Sequence, residues 1–159
     1  MFIRKEGEDV ILSPRPADWR AYLDGGPTAS VFEAALIFNH DVSPDGRELA
    51  VIATAGAGMP RTLSLQPLDG GPSRVIFTTN ESLDYIRWYP SGDALLLRMF
   101  EKDQTNLYRL DRTGGPARQL THFTRGIVSH PTISPDGSRI AYSRAHFESD
   151  IVLLKPKSN

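Results

Sequence analysis

The chain has 159 residues, of which 40% are hydrophobic and 23% charged, and its formal net charge at pH 7 is −1. This composition is typical of a globular domain with a sizeable core, and the lack of a basic excess argues against a surface dedicated to nucleic acid or anionic membrane. Cysteine is absent, which excludes disulfides, thiol catalysis and cysteine-ligated zinc.

The sequence also bears on the compartment. No run approaches the ~20 apolar residues of a membrane span. Acidic residues stand near the N-terminus, where a signal peptide would be apolar. We therefore expect a cytoplasmic protein as the chain is written, or a periplasmic one if the chain is a fragment of an exported protein.

The first 40 residues form the least regular part of the sequence. Residues 18–23 and 31–32 flank a turn, Asp24-Gly25-Gly26-Pro27, and are predicted to be strands. A short helix over residues 29–38 is the alternative for the second segment.

Two turn motifs recur along the chain with nearly the same period. The first reads Ser43-Pro44-Asp45-Gly46, Tyr89-Pro90-Ser91-Gly92 and Ser134-Pro135-Asp136-Gly137. The second is a Gly-Gly-Pro triplet that ends at Pro27, Pro72 and Pro116. Proline presets φ, aspartate bonds nearby backbone and glycine accepts positive φ, so both motifs suit tight turns. Two interleaved motifs with a shared period of about 45 residues indicate a repeat architecture.

Short apolar runs follow each turn and predict four strands per repeat. The runs after the first motif show no 3.6-residue stripe, which favours strands buried on both faces. The predicted strands are 85–88 and 131–133, then 49–52, 95–97 and 140–142, then 62–65, 106–110 and 150–154, and last 74–77 and 118–121. Four short antiparallel strands in a repeat of this length describe a propeller blade.

The fold class is therefore predicted as all-β, with about three and a half four-stranded propeller blades that make an incomplete ring within one chain. We divide the chain into a partial blade over 1–38, blades over 39–78 and 79–121, and a blade without its outer strand over 122–159. Open end blades expose apolar faces and strand edges. We therefore expect self-association, or a longer propeller of which this chain is a portion.

The motif S-P-D-G before an apolar strand, followed by L-D-G-G-P and R-Q-L-T, resembles the TolB-like, WD-like propeller repeats of bacteria. The resemblance covers residues 40–155 and is strongest between Asn106 and Gly137. It implies a propeller of the kind found at the C-terminus of some bacterial sensor proteins, behind a kinase or winged-helix domain. No motif of either domain occurs here, so the resemblance specifies the repeat type and not the partner.

Four polar residues just upstream of the first turn motif are candidates for a binding site. His40 and His130 lie on inner strands, which line the central channel of a propeller. Asp41 and Arg87 stand three residues before the turn proline in successive repeats, so their side chains are expected to meet if the blades are neighbours. The functional interpretation is an anchor for an acidic or polar ligand. The structural alternative is an inter-blade ion pair and backbone-bonded histidines.

No motif points to catalysis or to a cofactor. No serine sits in a G-x-S-x-G elbow, no histidines have paired metal-ligand spacing, and Asp45 and Asp136 are assigned to the turns. We therefore predict no enzyme, cofactor or metal. The predicted function is a non-catalytic module that binds a protein or peptide, as sensor or scaffold of a larger bacterial regulator. The alternative is an accessory propeller that filters substrates for a peptidase or hydrolase.

Overall fold

The computed structural model describes residues 3–6, 9–12, 17–20, 29–102 and 104–146, and within these ranges all regular secondary structure is β-strand. The strands are β1 Ile3–Glu6, β2 Asp9–Leu12, β3 Ala17–Arg20, β4 Ala29–Glu33, β5 Leu36–Val42, β6 Glu48–Thr54, β7 Arg61–Pro67, β8 Arg74–Thr79, β9 Ser82–Trp88, β10 Ala94–Glu101, β11 Gln104–Asp111, β12 Arg118–Gln119, β13 Ile127–Ile133 and β14 Ile140–Ala145. The described residues contain no helix that is long and apolar enough to cross a membrane.

Two four-stranded antiparallel sheets form the centre of the structure. One runs in the order β5-β6-β7-β8 and the other in the order β9-β10-β11-β12, so each is a meander in chain order. We call them the first and second blades, and we call the two-stranded sheet β13-β14 the third sheet. The all-β prediction with four antiparallel strands per repeat is confirmed.

The part of the chain before β5 forms two further hairpins, β1-β2 and β3-β4. The helix considered for residues 29–38 is wrong, because strand β4 ends at Glu33 and strand β5 begins at Leu36. The side chains of β5 alternate between two faces and its backbone pairs with β6, as expected of a strand. The Asp24-Gly25-Gly26-Pro27 turn and the strand predicted at 150–154 lie outside the described residues.

Apolar side chains fill the space between neighbouring sheets. The first interface joins Leu63 and Leu65 of the first blade to Leu83, Trp88 and Leu97 of the second. The second interface joins Leu96 and Leu107 of the second blade to Val128 of the third sheet. Each fully buried leucine stabilises the fold by about 1.5–3 kcal/mol relative to an exposed one. Consecutive residues on β10 thus enter different interfaces, which explains why the apolar runs are continuous.

The first turn motif is held by its own side chains. The Ser43 hydroxyl donates to Asp45 Oδ1 at 2.6 Å and accepts from the Glu48 amide at 2.9 Å. Asp45 Oδ1 also accepts from the Arg47 amide at 3.1 Å. These hydrogen bonds lower the pKa of Asp45 below its ordinary value, and the bond from Ser43 has the largest effect. The aspartate therefore serves the backbone of the turn.

The middle copy of the turn has Tyr89 in place of the serine, and its serine–aspartate hydrogen bond is formed by a different pair of residues. Ser91 Oγ donates to Asp93 Oδ1 at 2.5 Å, so the carboxylate comes two residues later than the sequence alignment of the turns suggests. The copies also pack on one another. A Cβ on Gly92 would lie 3.7 Å from Pro44 Cδ, and one on Gly137 would lie 3.7 Å from Pro90 Cδ. The proline of each turn therefore lies close to the glycine of the next turn.

Candidate functional site

The candidate site is built on the first strand of each sheet, β5, β9 and β13. Each strand carries an irregularity in its pairing, after Ile37 in β5, opposite the Arg98-Met99 step in β9, and after Ser129 in β13. Side chains two residues apart on a strand share a face. The residues five and three positions before the turn proline therefore share a face on β5 and on β9. On β13, Thr132 is paired as Asp41 is, whereas His130 lies within the pairing irregularity between Ser129 and Thr132. We call this set the inner-strand row: Asn39, Asp41, Tyr85, Arg87, His130 and Thr132.

Asp41 joins the first blade to the second. Its Oδ2 accepts the Trp88 amide at 2.8 Å, and its backbone oxygen accepts the Trp88 indole N–H at 3.1 Å. The Trp88 residue is only 5% exposed, so its amide has little access to water as an alternative acceptor. Asp41 thus uses one carboxylate oxygen and its backbone oxygen to hold the neighbouring inner strand in place.

Arg87 meets Asp41, as the spacing predicted. Its Nη1 lies 3.8 Å from Asp41 Oδ1, and its side chain remains 53% exposed. At this distance the contact is an ion pair and not a hydrogen bond. The guanidinium therefore lies beside Asp41 while about half of the Arg87 side chain remains exposed.

Tyr85 joins the second blade to the third sheet. Its hydroxyl donates to the Pro131 carbonyl at 2.5 Å. Burial raises the pKa of Tyr85 above its ordinary value, so the phenol stays protonated and keeps this bond at neutral pH. The residue was not a candidate in the sequence analysis, although it stands at the same position as His130 in the next repeat.

The two histidines lie on strands that flank β9. His40, on β5, is exposed, and so is His130, on β13. The His130 backbone has φ of 50°, in the left-handed region that is uncommon for a residue other than glycine. The structure thus brings Asp41 and Arg87 together, whereas His40 lies on the opposite face of β5 from Asp41, and His130 lies on β13. Among the described residues no group of three or more His, Asp and Glu side chains could hold a metal ion.

A half-buried arginine, Arg98, also joins two sheets and was missed by the sequence analysis. Arg98 donates to both carboxylate oxygens of Asp84 at 2.9 Å and to the Val128 carbonyl at 3.1 Å. It thus crosses from the second blade to the third sheet below the Tyr85 contact. The available signal was an arginine within the otherwise apolar stretch of β10. A second such bridge joins Arg112 to Glu48 at 3.0 Å.

The chain is similar in sequence to two known proteins. The chain is 36% identical over 104 residues to a protein TolB homolog of Chlorobium chlorochromatii (strain CaD3). The matched residues make up 65% of this chain and 22% of that protein. It is 30% identical over 135 residues to Tricorn protease homolog 1 of Streptomyces coelicolor (strain ATCC BAA-471 / A3(2) / M145), over 80% of this chain and 12% of that protein. This chain therefore matches less than a quarter of either relative.

Solved structures show a similar fold. The crystal structure of a puromycin hydrolase mutant complexed with PGG superposes with a TM-score of 0.52 and 18% identity, over 72% of this chain and 23% of that one. No protein-family model matches the chain. The turn motifs, the four-stranded antiparallel sheets and the matches to the two relatives together identify the repeats of this chain as TolB-like β-propeller repeats.

Proposed function

We propose that the chain is a non-catalytic propeller module that binds a protein or peptide through its inner-strand row. The observation that carries the proposal is Arg87, an exposed guanidinium beside Asp41 at the row's centre. Convergent polar groups on a rigid scaffold are what a binding surface needs. In this proposal Asp41 is the support and Arg87 the contact.

Arg87 is suited to an acidic or polar group on the partner. A guanidinium presents its donors in a planar fork that matches a carboxylate. Its ion pair with Asp41 is long, so a closer carboxylate on the partner would take over its donors. His130, on the neighbouring strand β13, is exposed and adds a group that both donates and accepts hydrogen bonds, whereas His40 lies on the opposite face of β5 from Asp41.

The wider role is proposed as the sensor or scaffold part of a larger bacterial regulator. Since the chain matches only 22% and 12% of its relatives, their whole activities are not carried over to it. Self-association or the remainder of a longer propeller would cover the open sheets, and the compartment is proposed as cytoplasmic, or periplasmic for an exported fragment. Similarity to a Tricorn protease homolog supports the second candidate, a propeller that filters substrates for a peptidase.

A peptide selection tests the binding function. Random dodecapeptides displayed on phage are selected on the purified protein, and the enriched peptide is titrated by calorimetry. We expect Arg87→Ala to weaken binding by tenfold or more, because a hydrogen bond to a charged group contributes about 1.5–3 kcal/mol. Arg118→Ala is the matched control, since it removes the same charge from the exposed outer strand of the same blade.

Two results would contradict the proposal. One is a failure to enrich any peptide, or an enriched peptide that Arg87→Ala and Arg118→Ala affect equally. The other is hydrolysis of model ester or peptide substrates that a single substitution in the described residues abolishes. If the chain instead filters substrates for a peptidase, fusing it to a peptidase should restrict the substrates which that peptidase cleaves to short peptides.

A further inference from the structure

We infer that Asp69 is a site of spontaneous covalent modification, at which the Asp69-Gly70 peptide rearranges to an isoaspartyl linkage in the folded protein. The inference does not depend on the proposed function, because the turn that contains Asp69 joins β7 to β8, the two outer strands of the first blade. An isoaspartyl carboxyl group is a substrate for methyltransferases that use S-adenosylmethionine. The modified turn is therefore a site for an enzyme of that class.

The reaction needs only these two residues and water. When the Asp69 carboxyl group is protonated, the Gly70 nitrogen attacks Cγ: the N–Cγ bond forms, the bond from Cγ to the hydroxyl breaks, and water leaves with that hydroxyl and the amide proton. Hydrolysis of the resulting succinimide at Cγ restores aspartate. Hydrolysis at the α-carbonyl instead leaves the main chain running through Cγ, with the α-carboxylate free. Glycine favours the attack because it has no side chain and a permissive backbone.

Three Asp-Gly pairs lie in the described ranges, and they begin at Asp45, Asp69 and Asp136. Asp45 and Asp136 belong to the first turn motif, whereas Asp69 precedes a Gly-Gly-Pro triplet. Because the reacting pair of residues is the same in all three, the folded structure decides which of them reacts. It separates Asp69 from the other two at both reacting groups, the carboxyl and the amide.

Hydrogen bonds hold the carboxylates of Asp45 and Asp136 in the ionised form, which is the unreactive one. Asp45 Oδ1 accepts from the Ser43 hydroxyl at 2.6 Å. Asp136 accepts from the hydroxyls of Ser134 and Ser138, at 2.5 and 2.8 Å. These bonds lower the pKa of both carboxyl groups, and those from Ser43 and Ser134 have the largest effect. Both groups are therefore protected from ring closure.

The Asp69 carboxylate lacks a hydroxyl donor of this kind. It accepts from the Gly71 amide at 3.4 Å, which is beyond the ordinary range of an N–H···O hydrogen bond. No other hydrogen bond or ion pair joins Asp69 to the rest of the described residues. Asp69 and Gly70 are both exposed, so water has access to the carboxyl group and to the succinimide.

The attacking amide differs in the same direction. The amides of Gly46 and Gly137 each donate to the carbonyl of the serine three residues earlier, at 2.8 Å. The Gly70 amide donates to the Pro67 carbonyl at 3.4 Å. A nitrogen held by a short hydrogen bond must lose that bond before it turns toward Cγ, whereas the Gly70 nitrogen has little to lose.

Peptide mapping of the aged full chain tests the inference. The three sites fall in separate tryptic peptides, residues 62–74, 126–139 and 21–47. The isoaspartyl form of each peptide has an unchanged mass, so it is separated by chromatography and identified by electron-transfer fragmentation. An Asp24→Glu background leaves Asp45 as the sole aspartate before glycine in its peptide.

We expect Asp69 to convert at least about tenfold faster than Asp45 or Asp136 in the folded protein, because both of its reacting groups are less restrained. In concentrated urea, where the turns are lost, the three rates should agree within about threefold. Ser134→Ala should raise the rate at Asp136 severalfold and leave Asp69 unchanged. The matched control is Ser73→Ala, which removes an exposed hydroxyl from the Asp69 peptide and should change neither rate.

Three results would overturn the inference. The first is equal conversion at the three sites of the folded protein, or faster conversion at Asp45 or Asp136. The second is a preference for Asp69 that persists in urea, since it would come from the neighbouring sequence and not from the fold. The third is a Ser134→Ala variant in which Asp136 stays as slow as before. None of these measurements uses a peptide ligand, so the proposed function stands or fails separately.

Discussion

Replacing Asp41 by alanine tests the central joint of the structure. The substitution removes the acceptor of the Trp88 amide, 2.8 Å away, and the ion pair with Arg87. A buried donor left without an acceptor costs about 1–3 kcal/mol, and the exposed ion pair adds roughly 0–1 kcal/mol. We therefore expect a loss of about 2–3 kcal/mol in the free energy of unfolding. For a chain of this size that corresponds to about 5–10 °C in Tm.

Two further variants divide this loss between its causes. Asp41→Asn keeps an oxygen for the Trp88 amide and loses only the charge, so it should cost about 1 kcal/mol. Arg87→Ala removes only the ion pair and should cost less than about 1 kcal/mol. Urea unfolding followed by tryptophan fluorescence gives all three values. The chain has two tryptophans, so a Trp19→Phe background assigns the signal to Trp88.

The order of the three losses is the critical result. If Asp41→Ala costs no more than Arg87→Ala, the Asp41 carboxylate does not stabilise the fold through the Trp88 amide. If Asp41→Asn costs as much as Asp41→Ala, the charge and not the hydrogen bond stabilises the joint.

Two other predictions concern the turns. Hydrogen bonds from Ser134, then from Ser138, lower the pKa of Asp136 to about 2. The ionised form of Asp136 should therefore stabilise the fold at pH values above its ordinary pKa, near 4, and this stabilisation should be lost as the pH falls toward about 2. Thermal melts across this pH range should show the loss in the unaltered protein and not in Asp136→Asn. Gly92→Ala should cost about 1–2 kcal/mol in urea unfolding because Gly92 has φ of 70°, whereas Gly56→Ala, which has open space and no positive φ, should stay within about 0.5 kcal/mol. Equal costs for the two glycines would show that the turn tolerates a side chain.

Much of the fold could be predicted because the signals are local. The proline-glycine turns occur at a fixed period, and each residue in them satisfies its neighbours, as Ser43 and Asp45 do. The apolar runs predicted strands buried on both faces, and β6 and β10 are buried in this way. The region before β5 lacks a clear repeat, and there the helix considered for residues 29–38 was wrong.

The site was only partly predictable. Because Asp41 and Arg87 stand at equal distances from their turn prolines, the sequence predicted that their side chains would meet, and the structure contains this contact. Nothing in the spacing indicated that Asp41 would be occupied by a backbone amide. Tyr85 and Arg98 were missed because their acceptors are carbonyl groups of the next sheet, which have no sequence signature.

The sequence by itself thus determined the repeat, the turns and the all-β character of this protein, because those features depend on contacts between residues close in the chain. Only the tertiary structure decided which polar residues are committed to joining sheets and which remain exposed. That division depends on contacts between residues some 46 or 47 positions apart, such as Tyr85 with Pro131 and Asp41 with Trp88. It leaves Arg87, His130 and Thr132 as the exposed groups of the inner-strand row.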